Sequence, residues 1–497
     1  MVVIFHRGVQ VSSRHLFLTI GDWLVIILAQ LAAVFLRLGF ADGGTYMVEN
    51  WGSLVSSALI YGLVFYAGGM YEPPTRSRRF DFDFLPLIVT GIAAGITGLV
   101  LYTRPQMVLG RGIWALSSVL ILILTYLLRR VFLALMRRGI FLKQALVLCD
   151  HPDRAAELLQ LVEDQPFSFY RVAGLVVCGT TPASAYTGKM PVLGTLDDLD
   201  RLVAEREIAV LLLSVSVMRS RELLARLRPL RYMGVEIMDY VSLSEELAQE
   251  IPLAHINDEW LMTAALNSSV IQIRKVKRAT DIVVSVFGLL LGLPLIVLAG
   301  ILIKLTSPGA VVYRQTRLGL GGKPYVLYKL RTMRMDAEAQ GAVWAGQRDT
   351  RVTKVGYYLR KWRIDEIPQL FNILKGEMSL VGPRPERPEF TEKLARFIPF
   401  YDERHLVQPG LTGWAQVRFP YAASFEAAAR KLQFDLYYIK NMGFLLDVSI
   451  LLRTFKTILV GLRHEGDGSF LPVDDKLEDL LAGTNLPEGG ESEGEQT

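Results

Sequence analysis

The stretch Ile282-Val-Val-Ser-Val-Phe-Gly288-Leu-Leu-Leu-Gly292-Leu-Pro294-Leu-Ile-Val-Leu-Ala-Gly-Ile-Leu-Ile-Lys304-Leu305 decides on which side of a membrane the rest of this chain works. It is apolar and long enough to cross a bilayer as a helix. Its middle holds Gly288, Gly292 and Pro294, and a proline inside a helix removes a hydrogen-bond donor and bends the axis. A plain crossing would send everything after Lys304 out of the cytoplasm, against the many cations that follow. The expected element is therefore a re-entrant helix over 282–305 that enters the inner leaflet, breaks at Pro294 and returns, with a kinked full crossing as the alternative. Just before it stands the basic cluster Arg274, Lys275, Lys277 and Arg278.

Working back toward the amino terminus, four further apolar stretches open the chain, at about Leu16–Leu38, Trp51–Tyr71, Phe84–Tyr102 and Ile113–Met136. Each is about long enough to span a bilayer. The first lacks a small-residue cleavage site and is followed by more spans, so it is not read as a removable signal. Arg7, Arg14, Arg76, Arg78, Arg79, Arg129, Arg130, Arg137, Arg138 and Lys143 place the amino terminus and everything after Lys143 in the cytoplasm. Asp22 and Gln30, polar groups within the first span, are expected to hydrogen-bond to neighbouring helices.

From Ala145 the pattern changes. Short β-rich runs, Ala145–Cys149, Val172–Val177, Val210–Ser214 and Val235–Met238, alternate with helical ones such as Arg154–Glu163 and Leu196–Glu205. That alternation predicts a parallel sheet with crossover helices, a Rossmann-like α/β domain. Its first strand-to-helix turn, Cys149-Asp-His-Pro-Asp-Arg154, has none of the glycines that let a backbone approach a pyrophosphate, so a dinucleotide cofactor is not expected there. Cys149 and Cys178 are expected to be buried thiols.

A 497-residue chain with 51% hydrophobic residues is too long for one domain and too apolar to be wholly soluble. Its 54 Lys and Arg against 49 Asp and Glu understate the basicity of the working part, because the end of the chain is acidic and reads as a disordered tail. Charge alone fits nucleic acid, acidic lipid or a diphosphate.

Downstream, Tyr357-Tyr-Leu-Arg360-Lys-Trp-Arg363-Ile-Asp365-Glu366-Ile-Pro-Gln-Leu-Phe-Asn-Ile-Leu-Lys-Gly376 carries the chemistry. Ile364, Ile367, Leu370, Phe371 and Leu374 recur at helical spacing, Pro368 suits a first turn and Gly376 a stop. Asp365 is expected at or beside the helix N-cap, where free N–H groups favour an ionised carboxylate, the state a nucleophile needs. Gly382-Pro-Arg384-Pro-Glu386 holds a guanidinium between two prolines, either a rigid grip for phosphate or equally a structural turn. The run Tyr313-Arg314-Gln-Thr-Arg317 to Tyr325-Val-Leu-Tyr328-Lys329-Leu-Arg331, with Gly321-Gly322 at its turn, predicts a hairpin whose cations face either solvent or phosphate. Gln408-Pro-Gly-Leu-Thr-Gly413-Trp414 and Phe434-Asp435 precede an amphipathic helix at Phe444–Leu462, placed in the membrane interface or in a core.

With these residues assembled, the region Lys277–Leu462 resembles the bacterial sugar transferase family, the polyprenyl-phosphate hexose-1-phosphate transferases. The matching motifs are Lys277-Arg278 with Asp281, the broken apolar helix, Tyr328-Lys329-Leu-Arg331, Asp365-Glu366, Gly382-Pro-Arg-Pro385 and Gly410-Leu-Thr-Gly-Trp-Ala-Gln416. The whole layout is similar to the long members that start exopolysaccharide or O-antigen units. The resemblance implies a multidomain membrane protein: a four-helix transmembrane domain (1–143), a Rossmann-like α/β domain (144–268), an α+β monotopic transferase domain (269–464) and the tail (465–497).

It also implies an enzyme of the bacterial inner membrane, with its catalytic domain on the cytoplasmic face. A UDP-sugar would be the donor, undecaprenyl phosphate the acceptor, the lipid bilayer the setting and Mg2+ the cofactor, with no role for nucleic acid; a homodimer is expected by analogy. Asp365 would be the nucleophile and Glu366 its helper, both metal contacts. Lys329, Arg331, Arg360 and Arg384 would bind phosphate, and Asp435 would be a supporting acid. Where relatives break the re-entrant helix at Ser-Pro, this chain has Leu293-Pro294. A tethered nucleotide-sugar epimerase or dehydratase and a non-catalytic assembly scaffold are the competing readings, and the identity of the sugar is not written in these motifs.

Overall fold

The computed structural model describes residues 5–6, 9–10, 13–68, 70–71, 79–103, 109–140, 142–164, 169–178, 190–214, 221–263, 271–335, 337, 351–419 and 425–460. Arg7, Arg76, Arg78 and the acidic tail lie outside them. The chain divides into two compact units, Met1–Ala248 and Gln249–Thr497.

In the first unit a short antiparallel pair, β1 (Phe5–His6) and β2 (Val9–Gln10), precedes four apolar helices: α1 (Ser13–Glu49), α2 (Trp51–Ala67), α3 (Arg79–Tyr102) and α4 (Arg111–Arg137). Leu16–Glu49 and Arg111–Leu135 are long and apolar enough to cross a membrane, while Trp51–Tyr66 and Pro86–Leu101 are shorter apolar helices. The two polar groups of the first span pair with neighbouring helices, as expected. Gln30 donates to Ser57 Oγ at 3.0 Å, and Asp22 forms an ion pair with Arg129 of α4 at 2.5 Å. Both members of that pair are buried, so removing either one would strand a charge, which costs ~3–5 kcal/mol.

The α/β part alternates β3 (Lys143–Cys149), α5 (Pro152–Glu163), β4 (Tyr170–Val177), β5 (Val192–Thr195), α6 (Leu199–Glu205), β6 (Val210–Leu213), α7 (Arg221–Tyr232), β7 (Glu236–Asp239) and α8 (Tyr240–Leu247). All five strands are parallel, in the order β5-β4-β3-β6-β7. Continuous apolar runs fit strands covered on both faces: Val147 and Leu212 enter the core on one side of the sheet, Leu146 and Leu211 the core on the other. At the β3–α5 turn His151 Nδ1 accepts from Asp153 N–H and Pro152 supplies no donor, so this helix start offers little to a pyrophosphate.

In the second unit α9 (Asp258–Thr263) precedes α10 (Ile271–Thr306), a single helix that contains Pro294. It is the third segment long and apolar enough to cross a membrane. The antiparallel hairpin β8 (Val312–Leu318) and β9 (Pro324–Leu330) follows, turning through Gly321 and Gly322, both at positive φ. Next come α11 (Lys354–Lys361), a 3-10 turn at Ile364–Glu366, α12 (Gln369–Lys375) and β10 (Ser379–Val381). The remainder is α13 (Pro388–Phe397), a 3-10 segment at Tyr401–Leu406, β11 (Gly410–Thr412), α14 (Trp414–Arg418), α15 (Phe425–Asn441) and α16 (Phe444–Val460).

Three contacts fix this unit around its site. Asn372, fully buried on α12, donates to Val326 O and accepts from Tyr328 N–H, which ties α12 to β9. Arg278 donates to the carbonyls of Ile373 and Leu374 at the carboxyl end of α12, where a cation also suits the helix dipole. Asp281 accepts from Leu380 N–H at 2.9 Å, holding α10 against β10.

Of the charges on α16, Asp447 and Arg453 face protein. Asp447 pairs with Lys277 at 2.7 Å and accepts from Tyr438, and the Arg453 guanidinium lies 5.4 Å from the Trp414 ring centroid. Phe444 and Phe455 point outward.

Candidate active site

The path into the site is a strained one. After α11 the chain reverses through Arg363 at φ 56°, a left-handed conformation that costs a side-chain-bearing residue on the order of 1 kcal/mol. The turn delivers Asp365 and Glu366 together, and both are buried. This corrects the expected N-cap placement. Pro368 occupies the N-cap of α12, and Asp365 lies one 3-10 turn earlier with no capping hydrogen bond. It is also less open than a surface carboxylate, with 6% of its area exposed.

The two carboxylates sit in different surroundings. Glu366 meets three cations: Arg363 Nη1 at 3.2 Å, Arg384 Nη2 at 3.3 Å and Lys329 Nζ at 3.7 Å. Burial alone would raise its pKa, but Arg384, Lys329 and Arg363 outweigh that and hold it at about 2. Asp365 has no such clamp. Its Oδ1 is buried without a hydrogen-bond partner. Burial, reinforced by the charge on Glu366, pushes it up to about 6 against the pull of Lys329, Arg360 and Arg363. Lys329 is in turn pushed down to about 8 by burial, against the attraction of Glu366.

The structure thus brings together Asp365, Glu366, Lys329 and Arg384. Arg360 is close enough to act on Asp365 electrostatically, and its Nε donates to Thr332 Oγ1 at 2.8 Å. Arg331 is elsewhere. Its guanidinium donates to the carbonyls of Ser307 and Pro308 just past α10, so it closes the end of that helix and stands apart from the phosphate-binding group assigned to it. Asp435 is also outside the carboxylate pair; it is fully buried on α15 and bonded to Arg404 at 2.9 Å.

Arg384 is carried by the turn after β10. β10 and β11 pair in parallel, Gly382 N–H donates to Thr412 O and Gly410 N–H to Pro383 O. A side chain at Gly382 would meet Gln408 O at 2.4 Å, and one at Gly413 would meet Gly382 O at 2.2 Å, so these motif glycines allow two backbones to touch.

Residues 272–461 match the family model described as bacterial sugar transferase, and residues 83–238 match one described as a CoA-binding domain. A UDP-glucose:undecaprenyl-phosphate glucose-1-phosphate transferase of Caulobacter vibrioides is 42% identical over 185 residues, covering 37% of this chain and 69% of the relative. The chain belongs to the bacterial sugar transferase family. The resemblance also extends along the length of this sugar transferase: an enzyme of the same description from Xanthomonas campestris is 27% identical over 477 residues, 90% of this chain and 94% of the relative. A UDP-N-acetylgalactosamine-undecaprenyl-phosphate N-acetylgalactosaminephosphotransferase of Aeromonas hydrophila is 44% identical over 219 residues, which is 44% of this chain and about half, 51%, of the relative.

Three contributors to the sugar transferase's site were not singled out from sequence. Arg363 was visible only as one cation preceding the dyad. Arg404 and Tyr401 lie in the run Tyr401-Asp-Glu-Arg404, outside every motif quoted above. No spacing signal marks them, because beyond their contact with each other the partners of Arg404 lie on α15 and in the turn after β10.

Proposed function

We propose that this sugar transferase moves a hexose-1-phosphate from a UDP-sugar to undecaprenyl phosphate, the step that begins an exopolysaccharide or O-antigen unit. The observation that carries the reading is the division of labour in the dyad, with Glu366 bound by three cations and Asp365 left with an unpartnered oxygen. An Asp365 oxygen attacks the sugar-bearing phosphorus, and the bond from that phosphorus to the leaving uridine monophosphate breaks. A phosphate oxygen of the acceptor then attacks the aspartyl sugar-phosphate, and Asp365 is released. Arg384 and Lys329, gathered by Glu366, grip the diphosphate, which favours charge developing in the transition state.

Magnesium fits one side of the dyad better than the other. Asp365 has a free anionic oxygen, whereas both Glu366 oxygens are already engaged. No group of three or more His, Cys, Asp or Glu that could hold a metal occurs among the described residues. Magnesium commonly binds through one or two carboxylates together with substrate phosphates and water. Asp365 would hold it with the donor, and the ion would offset diphosphate charge. Glu366 then serves as organiser of the cations rather than as a ligand.

The reading also places the domain on the cytoplasmic face of the bacterial inner membrane, with α10 re-entrant. Both ends of α10 attach to the same unit. Near its start Arg278 and Asp281 hold α12 and β10; beyond Pro294, Ala299 and Ile303 pack with Leu330 and Leu359. Its other side exposes Phe287, Leu290, Leu291, Leu298 and Leu305.

Supplying radiolabelled UDP-sugars and undecaprenyl phosphate with magnesium tests the function: label should enter the lipid fraction as uridine monophosphate is released. A panel of UDP-hexoses and UDP-N-acetylhexosamines that leaves the lipid unlabelled would contradict it. The same assay reports pH dependence. Asp365 acts ionised, so kcat/KM should rise as pH climbs through about 6; Lys329 grips phosphate protonated, so kcat/KM should fall above about 8. A profile flat from pH 5 to 9 would remove one or both assignments.

A further inference from the structure

We infer that Arg404, buried by its pairing with Asp435, is a positioning residue that sets where Arg384 can hold the donor. This rests on the proposed phosphate-transfer reading of the dyad, and it gives Asp435 a different task from that of a supporting acid at the reacting atoms.

Four backbone groups of the turn bearing Arg384 are held by hydrogen bonds. Arg404 Nη2 donates to the Arg384 carbonyl at 3.0 Å and Arg317 Nη1 to the Pro385 carbonyl at 3.0 Å. Together with the two bonds to β11 and its approach, this fixes the backbone from Gly382 to Pro385. Pro385 also confines Arg384 to an extended conformation. What is left to move is the Arg384 side chain, which remains 37% exposed while it reaches Glu366 at 3.3 Å.

Arg404 is an expensive way to hold one carbonyl. Its side chain is 6% exposed, and a buried guanidinium needs its charge and donors satisfied. Asp435 Oδ2 accepts from Nη2 at 2.9 Å and Tyr401 Oη accepts from Nη1 at 2.6 Å. The planar fork lets one nitrogen serve both Asp435 and the Arg384 carbonyl while the other serves Tyr401, an arrangement that a lysine ammonium on a flexible stem does not reproduce. The chain of contacts therefore runs Asp435, Arg404, Arg384 carbonyl, Arg384 guanidinium, Glu366. A displacement of about 1 Å at a gripping group can cost on the order of 10²-fold in rate.

The test is a double-mutant cycle in the full-length enzyme, with Arg404→Lys, Arg384→Ala and the pair, reading donor KM, kcat and thermal midpoint. Arg404→Lys should raise donor KM and lower kcat/KM by roughly 10- to 100-fold. In the Arg384→Ala background the same change should add less than about twofold, because the group it positions is gone. A purely structural role would give the same loss in both backgrounds, and that result overturns the inference. So would an Arg404→Lys enzyme with wild-type kinetics beside an impaired Arg384→Ala. Wild-type kinetics in Arg384→Ala itself would instead sink the donor grip on which the inference stands. Should Arg404→Lys fail to fold, Asp435→Asn keeps the shape and an acceptor oxygen while removing the countercharge, and the same non-additivity is expected of it.

Discussion

Asp365→Asn should abolish lipid labelling, lowering turnover by roughly 10³-fold or more, with the protein still folded. The amide has the same shape and no anionic oxygen to donate to phosphorus. Among the described residues Asp365 makes no ion pair and its Oδ1 has no hydrogen-bond partner, and burial disfavours its charge against the pull of Lys329, Arg360 and Arg363. Stability should therefore be kept or slightly improved, since an unpaired buried charge is removed. Loss of chemistry without loss of fold is the signature of a group present for reaction. Labelling by the asparagine enzyme at the wild-type rate would remove the nucleophile assignment.

Glu366→Gln should behave in the opposite way, losing stability as well as activity. Its carboxylate is the shared partner of Lys329, Arg363 and Arg384, and the amide removes the charge that draws these three cations together. Breaking a buried ion pair from one side costs ~3–5 kcal/mol; Arg363 and Arg384 are partly exposed and can turn to water, so the lower end is expected. Activity should drop on the order of 10²- to 10³-fold, because the phosphate-gripping groups lose their common anchor. Donor KM should rise with it. A stable, fully active glutamine variant would show that the cations find their positions without Glu366.

The contrast between these two variants bears on what the sequence could reveal. The order of apolar stretches and the strand and helix alternation after Ala145 are local patterns, and each stands where its periodicity puts it. The β8–β9 hairpin was legible for the same reason, through Gly321 and Gly322. The roles of individual arginines were not. Arg331 and Arg404 look alike as residue types, yet one closes the end of α10 and the other braces the turn holding Arg384. Their partners are 24 and 31 residues away or at similar range, and only the fold decides which cation a carbonyl captures. The ionisation of Asp365 was misplaced for a related cause. Adjacency to a helix start suggested a stabilised carboxylate, while burial beside Glu366 sets the opposite direction. The pattern of α16 left a membrane interface and a core both open as its setting, and Lys277 and Tyr438 draw Asp447 inward.

The covalent step is the claim on which the rest depends, and intact-mass measurement tests it most directly. Enzyme mixed with UDP-sugar and magnesium, with acceptor withheld, should gain the mass of one sugar phosphate while releasing uridine monophosphate, and peptide mapping should place the addition on Asp365. Undecaprenyl phosphate added afterwards should remove it. An unmodified enzyme that nonetheless labels the lipid, or an adduct that persists in Asp365→Asn, would contradict the account.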